Sequence, residues 1–311
     1  MIKPLATTAA ALLAAATLAP AGTASATSTT STASTDSCGL SASSVTAAGD
    51  HNNIGILSTR PPTATGQVLG RAAFAPGRVK VMASMSVLID QGPDGSQYAV
   101  YGYVVIGDAL YQAGYDAHGD GIIDNPPAAL RRIGGGWGNF TTVEEAEYQG
   151  PTQGGVSRWN VYGLRSDGVL FRWSVSSKGV WRSTGSAPGF SSVKSMALVS
   201  KSATYDTFVA NTRGGALYTI HIPTSSPMKP VVKPVRTRTW QGFEALLAMK
   251  CGVYGTLLLG IDKDTDSGYL YAVGRFTGTS TVIQSVGKVP ATFADNVYAR
   301  LKDPGGPLNG E

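Results

Sequence analysis

The chain has 311 residues, 42 % of them hydrophobic and only 14 % charged, with 39 glycines and 13 tyrosines. That composition is too apolar for a disordered chain and suits many short strands joined by tight turns. A formal charge of +5 is spread over single basic residues, which argues against a nucleic-acid binder, and two cysteines are too few for a disulfide scaffold.

Residues 1–26 read as a secretion signal: Lys3, an apolar Ala-rich run from Leu5 to Leu18, and a small-x-small site at Ala24-Ser25-Ala26. The run is too short to span a bilayer. The mature chain is expected to start near Thr27, with a charge of +4, and to be secreted, extracellular and without membrane insertion. Residues 27–39 form a Ser/Thr-rich linker, 40–303 hold the folded body and 304–311 a short tail.

Within the body one hairpin recurs, an apolar run, an Asp/Gly turn and a second apolar run. It is clearest at Leu257–Val273 and returns at Val161–Trp173, Phe208–Ile220 and Val104–Gln112, and more faintly at Val45–Ser58. Its central leucines, Leu57, Leu110, Leu170, Leu217 and Leu270, are spaced by 53, 60, 47 and 53. Phe140, Phe190, Phe243 and Phe293 recur in the connecting segments at intervals of 50, 53 and 50. No sustained helical period follows the N-terminus, so the fold class is all-β.

Units of about 50 residues with four strands each predict a five-bladed β-propeller of four-stranded antiparallel blades. Asn296–Leu301 looks like the first strand of a unit, and the N-terminal half-repeat lacks that strand. The two chain ends are therefore expected to complete one blade and close the ring, which removes exposed strand edges. Cys38 and Cys251 then fall on one rim of adjacent blades, where an exported chain favours a disulfide over two free thiols.

Chemistry is sparse. Three histidines (His51, His118, His221) fall in different units without metal-ligand spacing, and no nucleophile elbow is present. Gly134–Gly138 is Gly-rich but leads into a strand, so a turn is expected there and not a phosphate cradle. A basic stretch, Lys229–Arg238, reads as a solvated strand and loop, with an anionic-polymer patch as the sharper alternative. The sharpest local motif is Asp116–Asp124, where Asp116, Asp120, Ile122 and Asp124 occupy positions one, five, seven and nine of a Ca²⁺ loop. His118 at the third position and Pro127 at the twelfth depart from it, which leaves a hydrated Asp/Gly turn as the alternative. Asp262–Asp266 reads as an ordinary hairpin turn. Trp137, Asn139, Trp240 and Gln241 sit at unit junctions. An indole face with amide groups beside it could hold a sugar ring, and an inter-blade wedge is the plainer reading of each Trp.

At Ala109-Leu110-Tyr111, Gly215-Ala216-Leu217-Tyr218, Gly268–Val273 and Ile133–Phe140 the chain resembles the tachylectin-type five-bladed propeller lectins. The resemblance implies binding of N-acetylated amino sugars between blades, with glycans or glycoconjugates on cell surfaces, or polysaccharides, as partners and no required cofactor. Only two junctions keep Trp; the others carry Gly189-Phe190 and Ala291-Thr292-Phe293. The Asp116–Asp124 loop also resembles FG-GAP and VCBS repeats, which implies a calcium-stabilised adhesion module as the second reading. The leading expectation is a non-catalytic secreted lectin. A glycosidase-like hydrolase with carboxylates assembled from different blades is the third.

Overall fold

The computed structural model describes residues 37–89, 97–151, 156–302 and 306–311. The expected signal and nearly all of the Ser/Thr-rich linker lie outside these residues.

Among the described residues, twenty-one strands follow in chain order. The first three are β1 (Gly39–Val45), β2 (His51–Leu57) and β3 (Thr63–Gly70). Next come β4 (Val79–Met82), β5 (Met85–Ile89), β6 (Gln97–Ile106), β7 (Ala109–His118) and β8 (Ala129–Gly135). They are followed by β9 (Phe140–Gln149), β10 (Ser157–Arg165), β11 (Leu170–Val175) and β12 (Trp181–Ala187). The next group is β13 (Val193–Lys201), β14 (Tyr205–Thr212), β15 (Leu217–Pro223) and β16 (Val231–Arg236). The last five are β17 (Ala245–Cys251), β18 (Gly255–Asp262), β19 (Ser267–Val273), β20 (Ile283–Lys288) and β21 (Val297–Lys302).

Strands β9–β12, β13–β16 and β17–β20 form three separate four-stranded antiparallel meanders that resemble propeller blades. A nine-stranded sheet holds the rest, in the order β3-β2-β1-β21-β5-β6-β7-β8, with β4 also on β6. It joins two meanders through a short parallel pairing of Leu301 and Lys302 with Met85 and Ser86. The C-terminal strand β21 pairs antiparallel with β1 over Ala42–Val45, so the two ends of the described chain share one sheet. First strands pack in a cycle: β21 on β4, β4 on β9, β9 on β13, β13 on β17 and β17 on β21. Inner strands such as β14 and β18 are covered on both faces along nearly their whole length, whereas the outer strands β8 and β16 are mostly exposed.

Each junction between successive sheets holds one apolar cluster, and one aromatic residue from the connecting segment locks each. Its backbone N–H donates to a carbonyl in the second-to-third-strand hairpin: Phe74 to Gly49, Trp137 to Asp108, Phe190 to Gly168, Trp240 to Gly215 and Phe293 to Asp266, at 2.9–3.0 Å. All five rings are buried, one in each cluster. This corrects the alignment drawn from phenylalanine spacing. Phe190 and Phe293 are equivalent to Trp137 and Trp240, three residues before Phe140 and Phe243. The hairpin turns carry positive φ, and at Gly168 (φ 84°) an added Cβ would lie 2.1 Å from the Ser191 nitrogen.

A second register shift concerns the leucines. Leu110, Leu170, Leu217 and Leu270 are fully buried in their clusters, but Leu57 is 45 % exposed at the far end of β2. Two residues beyond the turn carbonyl stand Leu110, Leu170 and Leu217, but Gly268 in the β17–β20 sheet and His51 in the first sheet. The His51 ring is enclosed, bonded to the Ser43 hydroxyl on one side and the Tyr115 hydroxyl (2.6 Å) on the other. Burial without a counter-charge lowers its pKa to about 3, so it is neutral and acts as a packed, hydrogen-bonded core residue.

Cys38, just before β1, and Cys251, at the end of β17, form a disulfide with a Cα–Cα distance of 5.4 Å. The bridge ties the nine-stranded sheet to the β17–β20 sheet, whereas the β1/β21 pairing lies within the nine-stranded one.

Candidate functional site

Sequence singled out two tryptophan junctions, and the structure places both indoles inside. Trp137 is 6 % exposed and packs on Phe140 (4.5 Å between ring centres), Trp173 (4.8 Å) and Trp181 (6.1 Å). Trp240 is 5 % exposed and packs on Tyr271 (4.9 Å) and Phe243 (5.5 Å). Their faces are spent on inter-sheet packing. Asn139 and Gln241 are exposed neighbours in the same turns, where the Asn139 carbonyl accepts the Ser166 N–H and the Gln241 carbonyl accepts from Lys194 Nζ.

The glycine run at 134–138 folds as a turn around Asp108, whose carboxylate accepts the N–H groups of Gly138 (2.9 Å) and Gly136 (3.0 Å). These two bonds hold Asp108 below the usual carboxylate range, Gly138 contributing most. The donors that a bound phosphate would need are already used.

The Asp116–Asp124 segment closes on itself. Asp124 Oδ1 pairs with His118 Nε2 at 2.7 Å, the Ile122 carbonyl accepts the His118 N–H, and Asp120 Oδ1 accepts the Ile122 N–H at 3.0 Å. Among the described residues no group of three or more His, Cys, Asp or Glu side chains could hold a metal ion. In this conformation the Ile122 carbonyl takes a turn bond and the Asp124 carboxylate holds His118.

Charged groups do converge at the inner strands. Arg300 Nε donates to Glu144 Oε1 at 2.8 Å, and Lys302 Nζ lies 3.8 Å from both Glu145 and Glu147. The Trp159 indole donates to Glu145 at 3.1 Å. Nearby, buried Asp206 accepts two bonds from Arg158 (2.6 and 2.7 Å) and one from Tyr162 (2.8 Å). Burial lifts the Glu145 carboxyl, opposed by Lys302 and reinforced by Glu144 and Glu147. Burial, with the repulsion of Arg300 and Lys302, lowers Lys201 to about 7. Each of these carboxylates already holds a cation or an N–H donor, which is the arrangement of a structural tie between inner strands.

A feature with room for a ligand is a groove on the outer half of β6, β7 and β8. Two adjoining pockets of about 400 and 340 Å³ share Tyr101, Gly114 and Ala129. Register places Ala99, Tyr101 and Tyr103 across from Asp116, Gly114 and Gln112, with Ala129 and Arg131 on the next strand. Ala99, Gly114 and Ala129 have small or absent side chains, so they form a flat floor. Tyr101 supplies a half-exposed aromatic ring. Arg131 is held by Gln112 Oε1 (2.6 and 3.0 Å) at one side. Asp116, Asp124 and Asn125 line the other, and among the described residues the Asp116 carboxylate has no partner. This is a shallow floor with one aromatic wall and amide, guanidinium and carboxylate groups at its rim. It was not legible as a motif, because its parts come from three strands and are mostly Ala and Gly.

No protein-family model matches the chain, and no curated protein matches it. Among solved structures it is similar to the Aleuria aurantia lectin, described as a six-bladed β-propeller with a novel fucose recognition mode, at 14 % identity over 85 % of each chain and a TM-score of 0.47. It is also similar to AofleA from Arthrobotrys oligospora (8 % identity, 81 % of this chain and 89 % of that one, TM-score 0.40). A third is the Pseudomonas aeruginosa periplasmic gluconolactonase PpgL (10 % identity, 86 % of this chain and 100 % of that one, TM-score 0.39).

Proposed function

We propose that the protein is a secreted, non-catalytic five-bladed β-propeller that binds carbohydrate in the groove on β6–β8. The observation that carries this reading is the groove itself. A pyranose has an apolar C–H face and a rim of hydroxyls. Tyr101 and the alanine floor suit the first; Asp116, Asn125 and Arg131 suit the second. The five-blade count rests on the cycle of first strands and on the sheet that β21 completes with β1. N-acetylated amino sugars are the proposed class, the acetamido group being able to donate to Asp116 and accept from Arg131. One open groove of this kind binds weakly, with Kd on the order of millimolar to micromolar.

Calorimetry with N-acetylglucosamine, N-acetylgalactosamine and methyl α-L-fucoside tests the reading; the last is the ligand of an Aleuria aurantia lectin structure. Heat with an acetamido sugar, reduced at least tenfold in affinity by Tyr101→Ala and by Asp116→Ala, is expected. Fucoside binding alone would replace the sugar class, and silence with all three sugars and a glycan array would remove the function.

A further inference from the structure

The exposed apolar side chains are not scattered. In every meander the first strand turns into the second, and the third into the fourth, at the same end; the aromatic locks lie at the other. Every large hydrophobic residue exposed among the described residues lies at the end of the strand turns and away from the locks. Val253 (67 %) and Tyr254 tip the β17–β18 turn, Val282 (59 %) and Val180 precede the outer strands β20 and β12, Val231 opens β16, and Leu57 closes β2. Single exposed valines are ordinary. Their confinement to one end around the whole cycle of sheets is not.

Cations are interleaved with them. Arg60 follows Leu57, Lys178 precedes Val180, Lys229 precedes Val231, Lys250 precedes Val253 and Arg275 precedes Val282, and all five are exposed. Exposed acids at this end, among the described residues, are Asp116, Asp120 and Asp124, confined to one turn where His118 faces Asp124. The opposite end carries Asp50, Asp108, Asp167 and Asp264 in its hairpins beside exposed Arg71, Arg78, Arg213 and Arg238, so the two ends differ in their apolar tips and not in having cations. Apolar tips on separate turns, most of them with exposed cations on the same turn or strand, match the boundary between acyl chains and anionic headgroups. A polyanionic glycan would engage the lysines and arginines but leave the valines in water. A protein partner would call for a continuous apolar patch, and these tips sit on separate turns.

We infer that this end docks on a bilayer surface containing anionic phospholipid, with the turn tips at headgroup depth and no segment crossing. The inference is independent of the sugar groove, and either can fail alone.

Co-sedimentation with vesicles of phosphatidylglycerol and phosphatidylcholine tests it, with pure phosphatidylcholine vesicles as control. The protein is expected to partition onto the anionic vesicles and not onto the control. Lys178→Ser and Arg275→Ser should each weaken partitioning by roughly fivefold. Val253→Ser with Tyr254→Ser should weaken it further at unchanged charge. A reporter, Val253→Trp, should shift its emission to the blue only with anionic vesicles. Failure to bind anionic vesicles, equal binding to both vesicle types, or no effect of the apolar substitutions would overturn the inference. So would dimerisation in analytical ultracentrifugation that the Val253/Tyr254 substitutions abolish, since a second copy would then be the occupant.

Discussion

The disulfide lends itself to a worked prediction. Cys38 and Cys251 are 213 residues apart in sequence, so the bridge removes the closure entropy of a very long loop from the unfolded chain. The chain-entropy relation gives about 5 kcal/mol for a loop of this length at 25 °C. In a domain of this size that corresponds to a fall in Tm of about 10 °C when the bridge is lost. The folded state has little reason to change, because β1 remains paired with both β2 and β21 and the Cys38 carbonyl still accepts the Ser58 N–H at 2.9 Å. The assay is thermal unfolding by calorimetry of the oxidised protein, the reduced protein and the Cys38→Ser/Cys251→Ser variant. The two forms without the bridge should melt together, well below the oxidised one, with native circular dichroism at 25 °C. A shift under about 2 °C, or a variant that no longer gives the native spectrum, would refute the reasoning. The first result would mean the unfolded ensemble already keeps the ends together, and the second that the bridge holds the ring and does not merely tether it.

Two titrations and one backbone substitution follow from the same structure. His51 is neutral when folded, with a pKa lowered to about 3, so the unfolded chain takes up a proton that the native one refuses. Stability should fall by about 1.4 kcal/mol per pH unit from pH 6.5 toward 3, and His51→Leu should remove that slope in urea titrations while costing about 2 kcal/mol at neutral pH from the orphaned Ser43 and Tyr115 hydroxyls. Lys201 loses its proton near pH 7 in the fold and near 10.5 in the unfolded chain, so stability should climb with pH across that window. Equal slopes in wild type and Lys201→Met would contradict the placement of the ammonium group beside Arg300 and Lys302. Gly168→Ala forces a Cβ against the Ser191 backbone at positive φ and should cost about 2–4 kcal/mol; Gly77→Ala, with open space around it but also at positive φ, should cost only about 1 kcal/mol by denaturant titration.

The repeat itself was legible because the physics that makes it is local. A turn with positive φ needs Gly or Asp, and the residue two beyond it enters the core, so Gly168/Leu170 and Gly215/Leu217 mark the same place in successive sheets. The strand at 297–302 and the cysteine pair were readable for the same reason, as a missing piece and a matching position. Leu57 misled because the first sheet uses His51, a polar residue with both ring nitrogens bonded, where three of the others use Leu. The tryptophans suggested an open binding platform, but an indole at a junction is large enough to be the wedge, and smaller Phe74 and Phe293 do the same at other junctions. Neither the groove nor the apolar end could be read from residue order. The groove is a juxtaposition of small residues across β6, β7 and β8, and the end depends on which way each turn faces.

The most direct test is a crystal structure of the protein soaked with N-acetylglucosamine. The account predicts five blade-like meanders, β21 beside β1 in one of them, and sugar density over Gly114 between Tyr101 and Arg131. A different number of meanders around the cycle, chain ends left unpaired, or sugar stacked on an opened Trp137 or Trp240 would contradict it.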